Sequence, residues 1–150
     1  MNKKVAKCRI CESASLLKYL DLGEMPLANS LIRPEKKNAV ETKFPLQVLF
    51  CPNCCLSQLS VVVDPKILFS GYVYHSSVSN TFREHCKKMA LDLKKYFPKK
   101  ASPLVLDIAS NDGCLLNEFK KAGYGIVGVE PASNLAALAE KNSIPTINSF

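Results

Sequence analysis

The sequence Cys8-Arg9-Ile10-Cys11, repeated in form as Cys51-Pro52-Asn53-Cys54, decides how the N-terminal part of this 150-residue chain folds. A C-x-x-C step lets two thiolates of one tight turn reach the same ion, and two such steps supply the four sulfurs of a closed tetrahedral zinc site. We therefore predict a structural zinc ion bound by Cys8, Cys11, Cys51 and Cys54. Iron is a minor alternative because four thiolates also bind it, and buried or redox-active cysteines are another.

Cysteine usage also bears on where the protein works. The chain contains seven cysteines, and the charged N-terminal residues Met1 to Lys7 are not followed by the apolar run of a signal peptide. In a reducing compartment, paired cysteines are better explained as metal ligands than as disulfides. We therefore predict a cytoplasmic protein. No run of about 18 apolar residues occurs, so we expect no membrane-spanning helix.

The formal net charge is +7, from 20 lysines and arginines against 13 acidic residues. Much of this charge lies in short lysine pairs spread along the chain, such as Lys94-Lys95 and Lys120-Lys121. Such pairs are typical of solvated faces, and attraction for phosphate is the alternative. Because no aromatic-rich basic stripe accompanies them, a nucleic-acid partner is not expected. The oligomeric state stays open.

The pattern of apolar residues divides the chain into three parts. We predict a β-rich zinc module over residues 1–63, a connector over 64–79, and a helix plus a βαβα segment over 80–150. Helical spacing of apolar residues predicts a helix over 80–97, with Thr81 and Glu84 as its capping box. Strands are predicted at 104–108, with the continuous apolar character of a buried parallel strand, and at 126–130. Pro131 suits the first position of the helix that follows.

These elements define the predicted fold class. It is α/β, with α+β character overall, in which a small four-cysteine module precedes the first half of a Rossmann-like domain. Two strands and the start of a third are fewer than a complete doubly wound sheet has. We therefore expect the chain to be the front part of a longer protein.

The turn between the two strands, Asp107-Ile108-Ala109-Ser110-Asn111-Asp112-Gly113, is typical of half a dinucleotide-type site. Glu130 ends the second strand, where an acid can accept hydrogen bonds from ribose hydroxyls. The NAD fingerprint G-x-G-x-x-G is absent, and the turn carries acids with no positive charge, so it suits pyrophosphate poorly. A ligand with positive charge and no phosphate, such as S-adenosylmethionine, fits better. An ordinary α/β turn is the alternative.

Short motifs in a fixed order give most of the chain a resemblance to a known family. The motifs are the two cysteine pairs, Leu22-Gly23-Glu24-Met25-Pro26-Leu27-Ala28-Asn29, Phe44-Pro45-Leu46, Leu56 with Gln58 and Leu59, Tyr72-Val73-Tyr74 with the serines after it, the turn 107–113 and Gly128-Val129-Glu130-Pro131. With these residues the chain resembles the sugar C-methyltransferases of deoxysugar biosynthesis, of the NDP-hexose 3-C-methyltransferase type.

The resemblance implies an N-terminal zinc module, a central Rossmann-like domain that binds S-adenosylmethionine (SAM), and a C-terminal domain. It also assigns roles to individual residues. The methionine side of S-adenosylmethionine would be lined by Asp107, Ser110, Asn111, Asp112 and Gly113, the ribose would be held by Glu130, and the adenine would be bordered by Pro131. The substrate would be faced by Tyr72, Tyr74, Ser76, Ser77 and Ser79, for which a packed connector is the alternative.

The chain departs from the general methyltransferase pattern, in which glycines lie two, four and six residues after the acid. Those positions are Ala109, Asn111 and Gly113. Asparagine at the middle position fits the resemblance to the sugar C-methyltransferases, whereas the methyl group of Ala109 would crowd the backbone approach to the ligand. The resemblance also implies that the catalytic base lies beyond residue 150, so the catalytic residue is unknown. We expect the 150-residue chain alone to be inactive.

The sequence therefore predicts the N-terminal part of a SAM-dependent C-methyltransferase acting on a nucleotide-linked 4-keto-deoxysugar. A non-catalytic zinc-ribbon-like binding module for nucleic acid or protein, with a partial α/β domain, is the alternative. An NAD-type enzyme is a third hypothesis, against which the missing glycines speak.

Overall fold

The computed structural model describes residues 3–97 and 103–150. The chain divides into two compact units, of which the first ends at Leu68 and the second begins at Phe69. This division falls inside the predicted connector over 64–79, and the finer three-part organisation stays a prediction. Within the described ranges, no helix is both long enough and apolar enough to cross a membrane.

The first unit is built from short antiparallel sheets. Strands β2 (Leu17–Pro26), β3 (Lys43–Phe50) and β4 (Ser57–Leu59) form one sheet in that order, and β1 (Lys3–Lys4) pairs with β5 (Val61–Val62). Residues 27–42 join β2 to β3 as a long loop with a single 3-10 turn, Pro34–Lys36. Pro34 is the first residue of this turn, a position at which the missing amide hydrogen of proline costs no hydrogen bond within the turn.

The second unit carries a parallel sheet with helices. Strands β6 (Leu104–Ile108), β7 (Gly125–Val129) and β8 (Thr146–Ile147) lie side by side in chain order and run parallel. The helices are α1 (Pro65–Phe69), which contains the boundary between the units, α2 (Asn80–Leu93), α3 (Cys114–Lys121) and α4 (Ser133–Lys141). The predicted fold class is confirmed, since a β-rich four-cysteine module precedes a partial Rossmann-like sheet.

The core of the second unit lies on one face of this sheet. Leu116 of α3, Ala139 of α4 and Ile144 form a fully buried cluster, against which Val105 and Ile126 pack from the sheet. Both strand residues point to the same face because they are register partners in the parallel ladder. Burial of this kind is the main driving force that holds helices on a sheet.

The strand at 104–108 is present and parallel, but the prediction that it is buried is wrong at three of its five residues. Leu104, Leu106 and Ile108 are 67%, 55% and 74% exposed. Successive side chains of a strand point to opposite faces, and the core cluster covers only the face of Val105. A continuous apolar run indicates a parallel strand but does not reveal which faces are covered.

Two helix starts also differ from the sequence prediction. Helix α2 begins at Asn80, and its N-cap is Ser79, whose hydroxyl accepts a hydrogen bond from the Phe82 N–H at 3.2 Å. The Thr81–Glu84 capping box is therefore wrong, because Thr81 already lies inside the helix. Helix α4 begins at Ser133 rather than at Pro131, with Ala132 as its N-cap.

Candidate metal centre and cofactor site

The two cysteine pairs of the first unit adopt the same backbone turn. Glu12 N–H donates to the Cys8 carbonyl at 3.0 Å, and Cys55 N–H donates to the Cys51 carbonyl at 2.8 Å. The residue after each pair lies in the left-handed region, with φ of 60° at Glu12 and 61° at Cys55. These repeated turns aim both thiols of each pair the same way, although neither left-handed position carries the glycine that would adopt it most easily.

The turns bring the four predicted metal ligands together. The sulfur atoms of Cys8, Cys11, Cys51 and Cys54 all lie within 4.8 Å of one another. The Cys8–Cys54 and Cys11–Cys51 Sγ···Sγ distances are both 3.5 Å, far longer than a disulfide bond of about 2.05 Å. Zinc–sulfur bonds of about 2.3 Å in a tetrahedron require sulfur separations of about 3.8 Å, so the cluster fits a four-thiolate zinc ion.

Local hydrogen bonds lower the pKa of two of the four thiols and so favour the thiolate form that binds a cation. The Asn53 side chain, with the Ser13 N–H, lowers the pKa of Cys11 to about 6. The N–H groups of Cys11 and Ile10 lower the pKa of Cys8. At Cys54 the Leu56 N–H acts in the same direction, but burial and the neighbouring thiols outweigh it and raise the pKa to about 12. Metals bind thiolates, so Cys11 and Cys8, whose pKa values are lowered, lose their protons to a metal most easily.

In the second unit, the carboxylate of Glu130 organises the carboxyl edge of the sheet. Its side chain is 5% exposed and follows directly after β7. One oxygen accepts the Asn111 N–H and the other accepts the Ala132 N–H, both at 2.8 Å. The acid therefore ties the turn after β6 to the start of α4. Each carboxylate oxygen retains acceptor capacity for a ligand hydroxyl.

A cavity of about 370 Å³ opens at this edge of the sheet. Its lining includes Asn111, Glu130 and Pro131 from the predicted cofactor residues, together with Tyr72 from the predicted substrate-facing run. Ala109 lines it as well and holds a φ of 62°, a left-handed conformation that costs an alanine about 1–2 kcal/mol. A volume of this size is typical of small-molecule sites.

The remaining turn residues point elsewhere. Asp112 and Gly113 line a second, polar cavity of about 700 Å³ that also includes Ser77 and Arg83. Gly113 has a φ of 78°, and a Cβ atom there would come within 3.0 Å of Ile144, so a larger residue would be both strained and crowded. The structure thus divides five of the seven predicted cofactor residues between two cavities, and Asp107 and Ser110 line neither of them.

Two buried polar atoms of the turn have no partner among the described residues. Within residues 3–97 and 103–150, Ser110 Oγ and Asp112 Oδ1 make no hydrogen bond, although their residues are only 4% and 5% exposed. Buried polar groups without partners are costly and rare in native structures. A ligand with hydrogen-bond donors, such as the amino group of S-adenosylmethionine, is chemically compatible with both oxygens.

The predicted substrate-facing residues lie in a segment that is held mainly through its backbone. Ser76 N–H donates to Asn111 Oδ1 at 2.9 Å, and Ser77 N–H donates to Asp112 Oδ2 at 3.0 Å. Tyr74 is 48% exposed, Tyr72 is half-buried and Ser79 caps α2. This run therefore lies against the cofactor turn, and its contact with a substrate stays a prediction.

Sequence reasoning missed several asparagines that shape the two sites. Asn53 supports the Cys11 thiolate, Asn134 bonds the backbone of Tyr72, and Asn148 donates to the carbonyls of Glu130 and Pro131. Asn53 could have been found, since it lies inside the second cysteine pair. The other two contact residues that are 17 or more positions away, and no local spacing indicates them.

Asp107 is the acid whose ionisation the fold disfavours. Burial, together with the nearby Glu130 carboxylate, raises the pKa of Asp107. A carboxyl whose pKa is raised by folding binds protons more tightly in the folded state, so stability falls as pH rises from its ordinary range through the raised pKa. We expect Asp107→Asn to raise the unfolding midpoint by a few degrees at pH 7 and to lose this advantage below the ordinary aspartate range.

Thermal unfolding followed across pH 3 to 8 checks this expectation. Asp92→Asn is the matched control, because Asp92 is exposed on α2 and its replacement is expected to leave the midpoint unchanged. Parallel pH profiles for the wild type and Asp107→Asn would contradict the assignment.

The comparisons with known proteins agree with this geometry. Residues 8–69 match a family model described as "Putative zinc binding domain". Over 145 residues, or 97% of its length, the chain is 34% identical to the C-methyltransferase NovU of Streptomyces niveus. The aligned region covers 34% of that relative, so the chain spans about a third of its length.

The four-thiolate cluster lies within the residues that match the zinc-binding family model, and the chain as a whole is similar to about a third of a C-methyltransferase.

Proposed function

We propose that this chain provides the zinc-binding module and the cofactor-binding turn of a SAM-dependent C-methyltransferase that acts on a nucleotide-linked 4-keto-deoxysugar. The observation that carries the proposal is the buried Glu130 carboxylate in the wall of a 370 Å³ cavity at the carboxyl edge of a parallel sheet. Ligands of open α/β sheets bind at this edge. The 34% identity to a C-methyltransferase supports the reaction class.

In this function, Glu130 would accept the ribose hydroxyls through the lone pairs that the Asn111 and Ala132 amides leave free. Pro131 would border the adenine, and the turn from Asp107 to Gly113 would hold the methionine end. S-adenosylmethionine, when bound, supplies a methyl group bonded to a positively charged sulfur. The chain's acids favour that charge, since Asp107 and Glu130 lie near each other at the turn.

The tyrosines of the connector would orient the sugar. Tyr72 lines the same cavity as Glu130, and a phenol there can donate a hydrogen bond to a keto oxygen or accept one from a hydroxyl. Methyl transfer to carbon demands alignment of the attacking carbon, the methyl group and the sulfur. Positioning by Tyr72 and Tyr74 is therefore the role assigned to this run.

The metal module would contribute stability and no chemistry. Four cysteine thiolates close the coordination shell of zinc and leave no open position for water or substrate. The cysteine cluster fits such a closed site. Zinc on Cys8, Cys11, Cys51 and Cys54 is accordingly proposed as structural.

Calorimetric titration tests the cofactor assignment. S-adenosylhomocysteine is expected to bind the 150-residue chain, whereas NADH is not, because the turn lacks the glycines of a pyrophosphate cradle. A 4-keto-deoxysugar nucleotide is then added to the saturated chain, with the nucleoside diphosphate alone as the control. Absence of heat with S-adenosylhomocysteine, or equal binding of NADH, would contradict the proposal.

A further inference from the structure

Residues 72–78, which lie within the predicted connector over 64–79, are called the connector segment below. Its backbone forms most of its hydrogen bonds with side chains of the second unit. The only regular structure in it is a 3-10 turn, Ser76–Val78. Asn134 binds both backbone groups of Tyr72, accepting its N–H at 3.1 Å and donating to its carbonyl at 2.7 Å. Asn111 Nδ2 donates to the Tyr74 carbonyl at 3.1 Å, and the Asn111 and Asp112 side chains accept from Ser76 and Ser77.

Asn111 belongs to the cofactor turn and also bonds the connector segment through its side chain. Its backbone N–H is held by Glu130 at 2.8 Å, and its Oδ1 accepts both the Ser76 N–H and the Asp112 N–H at 2.9 Å. Its φ of 53° lies in the left-handed region, which asparagine tolerates better than most residues. The Asn111 side chain therefore joins the connector segment to the turn at two points, beside the single bond from Asp112, and its own backbone N–H bonds to Glu130.

We propose that Asn111 is a positioning residue that links occupancy of the cofactor cavity to the placement of the connector segment, and so of Tyr72 and Tyr74. The inference rests on the proposed function, because it takes the cavity beside Glu130 as the cofactor site. A ligand that bonds Glu130 or fixes the turn also fixes Asn111, and thereby the connector segment. By thermodynamic linkage, an ordered connector segment in turn favours the ligand.

The general methyltransferase pattern has a glycine at this position, and glycine provides the sharpest test. Asn111→Gly accepts the positive φ and keeps the backbone N–H for Glu130, while it removes both bonds from the Asn111 side chain to the connector segment. Asn111→Asp keeps the acceptor for Ser76 and loses the donor to Tyr74. Asn134→Ala is the matched control, because it removes the two Asn134 bonds to the Tyr72 backbone at the other end of the segment and leaves the Asn111 bonds in place.

Amide hydrogen exchange of the 150-residue chain reads the contact directly. Without ligand, the Ser76 amide is expected to exchange about tenfold faster in Asn111→Gly, the factor that corresponds to one lost hydrogen bond of about 1.4 kcal/mol. Asn111→Asp should restore the slow exchange at Ser76. Unchanged Ser76 exchange in Asn111→Gly would overturn the proposal. If that variant fails to fold, the same decision rests on Ser76 exchange in Asn111→Ala, which also removes both side-chain bonds and places alanine at a positive φ that Ala109 already adopts in this turn.

A second measurement separates this inference from the proposed function. At saturating S-adenosylhomocysteine, the Ser76 amide, which Asn111 binds, is expected to exchange still more slowly in the wild type and in Asn134→Ala, but not in Asn111→Gly. An equal slowing in Asn111→Gly would overturn the linkage even though the ligand binds. Absence of any binding heat in the wild type would instead contradict the cofactor assignment, while the ligand-free comparison still decides whether Asn111 positions the segment.

Discussion

Cys51→Ser is expected to release the metal and to unfold the first unit. Cys51 is completely buried, and its sulfur lies 3.5 Å from that of Cys11 inside the four-thiol cluster. The apparent binding free energy of a structural zinc ion is about 10–16 kcal/mol, as large as the unfolding free energy of a whole domain. Serine replaces a thiolate with a far weaker ligand. The first unit has little else in its interior, since every residue of β2 is exposed.

Metal content by mass spectrometry and amide exchange over β3 measure this outcome. The zinc-to-chain ratio should fall from about one to near zero, and the amides of residues 43–50 should lose protection. Cys55→Ser is the matched control, because Cys55 follows the ligand Cys54 and has an exposed thiol. Retained zinc with unchanged protection in Cys51→Ser would show that the cluster does not bind the metal as assigned.

Glu130→Ala is expected to lower the unfolding free energy of the second unit by about 2–6 kcal/mol and to abolish binding of S-adenosylhomocysteine. Two backbone amides, at Asn111 and Ala132, would lose their acceptor at a site where Glu130 is 5% exposed. Each buried donor left without a partner costs about 1–3 kcal/mol. The same change removes the acid proposed to hold the ribose.

Denaturant unfolding and calorimetric titration report the two effects separately. Glu140→Ala is the matched control, because Glu140 also accepts a backbone N–H, from Thr146 at 2.6 Å, but does so on the surface. It should cost less than about 1 kcal/mol and leave ligand binding unchanged. Full ligand binding by Glu130→Ala would remove Glu130 from the cofactor site, whatever happened to stability.

Local patterns predicted the elements of this fold well. The alternation of apolar runs with glycine and proline gave strands at 104–108 and near 126–130, and the structure has Leu104–Ile108 and Gly125–Val129. The cysteine spacing gave the cluster, because each pair forms a turn that is complete within six residues. These features are local, so the information that specifies them lies in neighbouring residues.

Features that depend on distant partners could not be predicted from the sequence. The exposure of Leu106 depends on which layers cover the sheet, and a single strand carries no sign of that. Asn111 bonds the connector segment across 35 and 37 positions, and Asn134 does so across 62. Ser79 and Thr81 can both cap a helix, with serine the better N-cap residue, and the match of Thr81 and Glu84 to a capping box hid the cap at Ser79.

The loop between β2 and β3 offers a place to label the protein. Residues 28–42 are exposed throughout, and Val40 is fully exposed. The entropy of closing a flexible loop grows with the logarithm of its length, so doubling this one would cost only about 0.6 kcal/mol. An epitope or a fluorophore-binding peptide inserted near Val40 would therefore remain anchored at both ends by the sheet, and its mobility would report on assembly of the metal centre in real time.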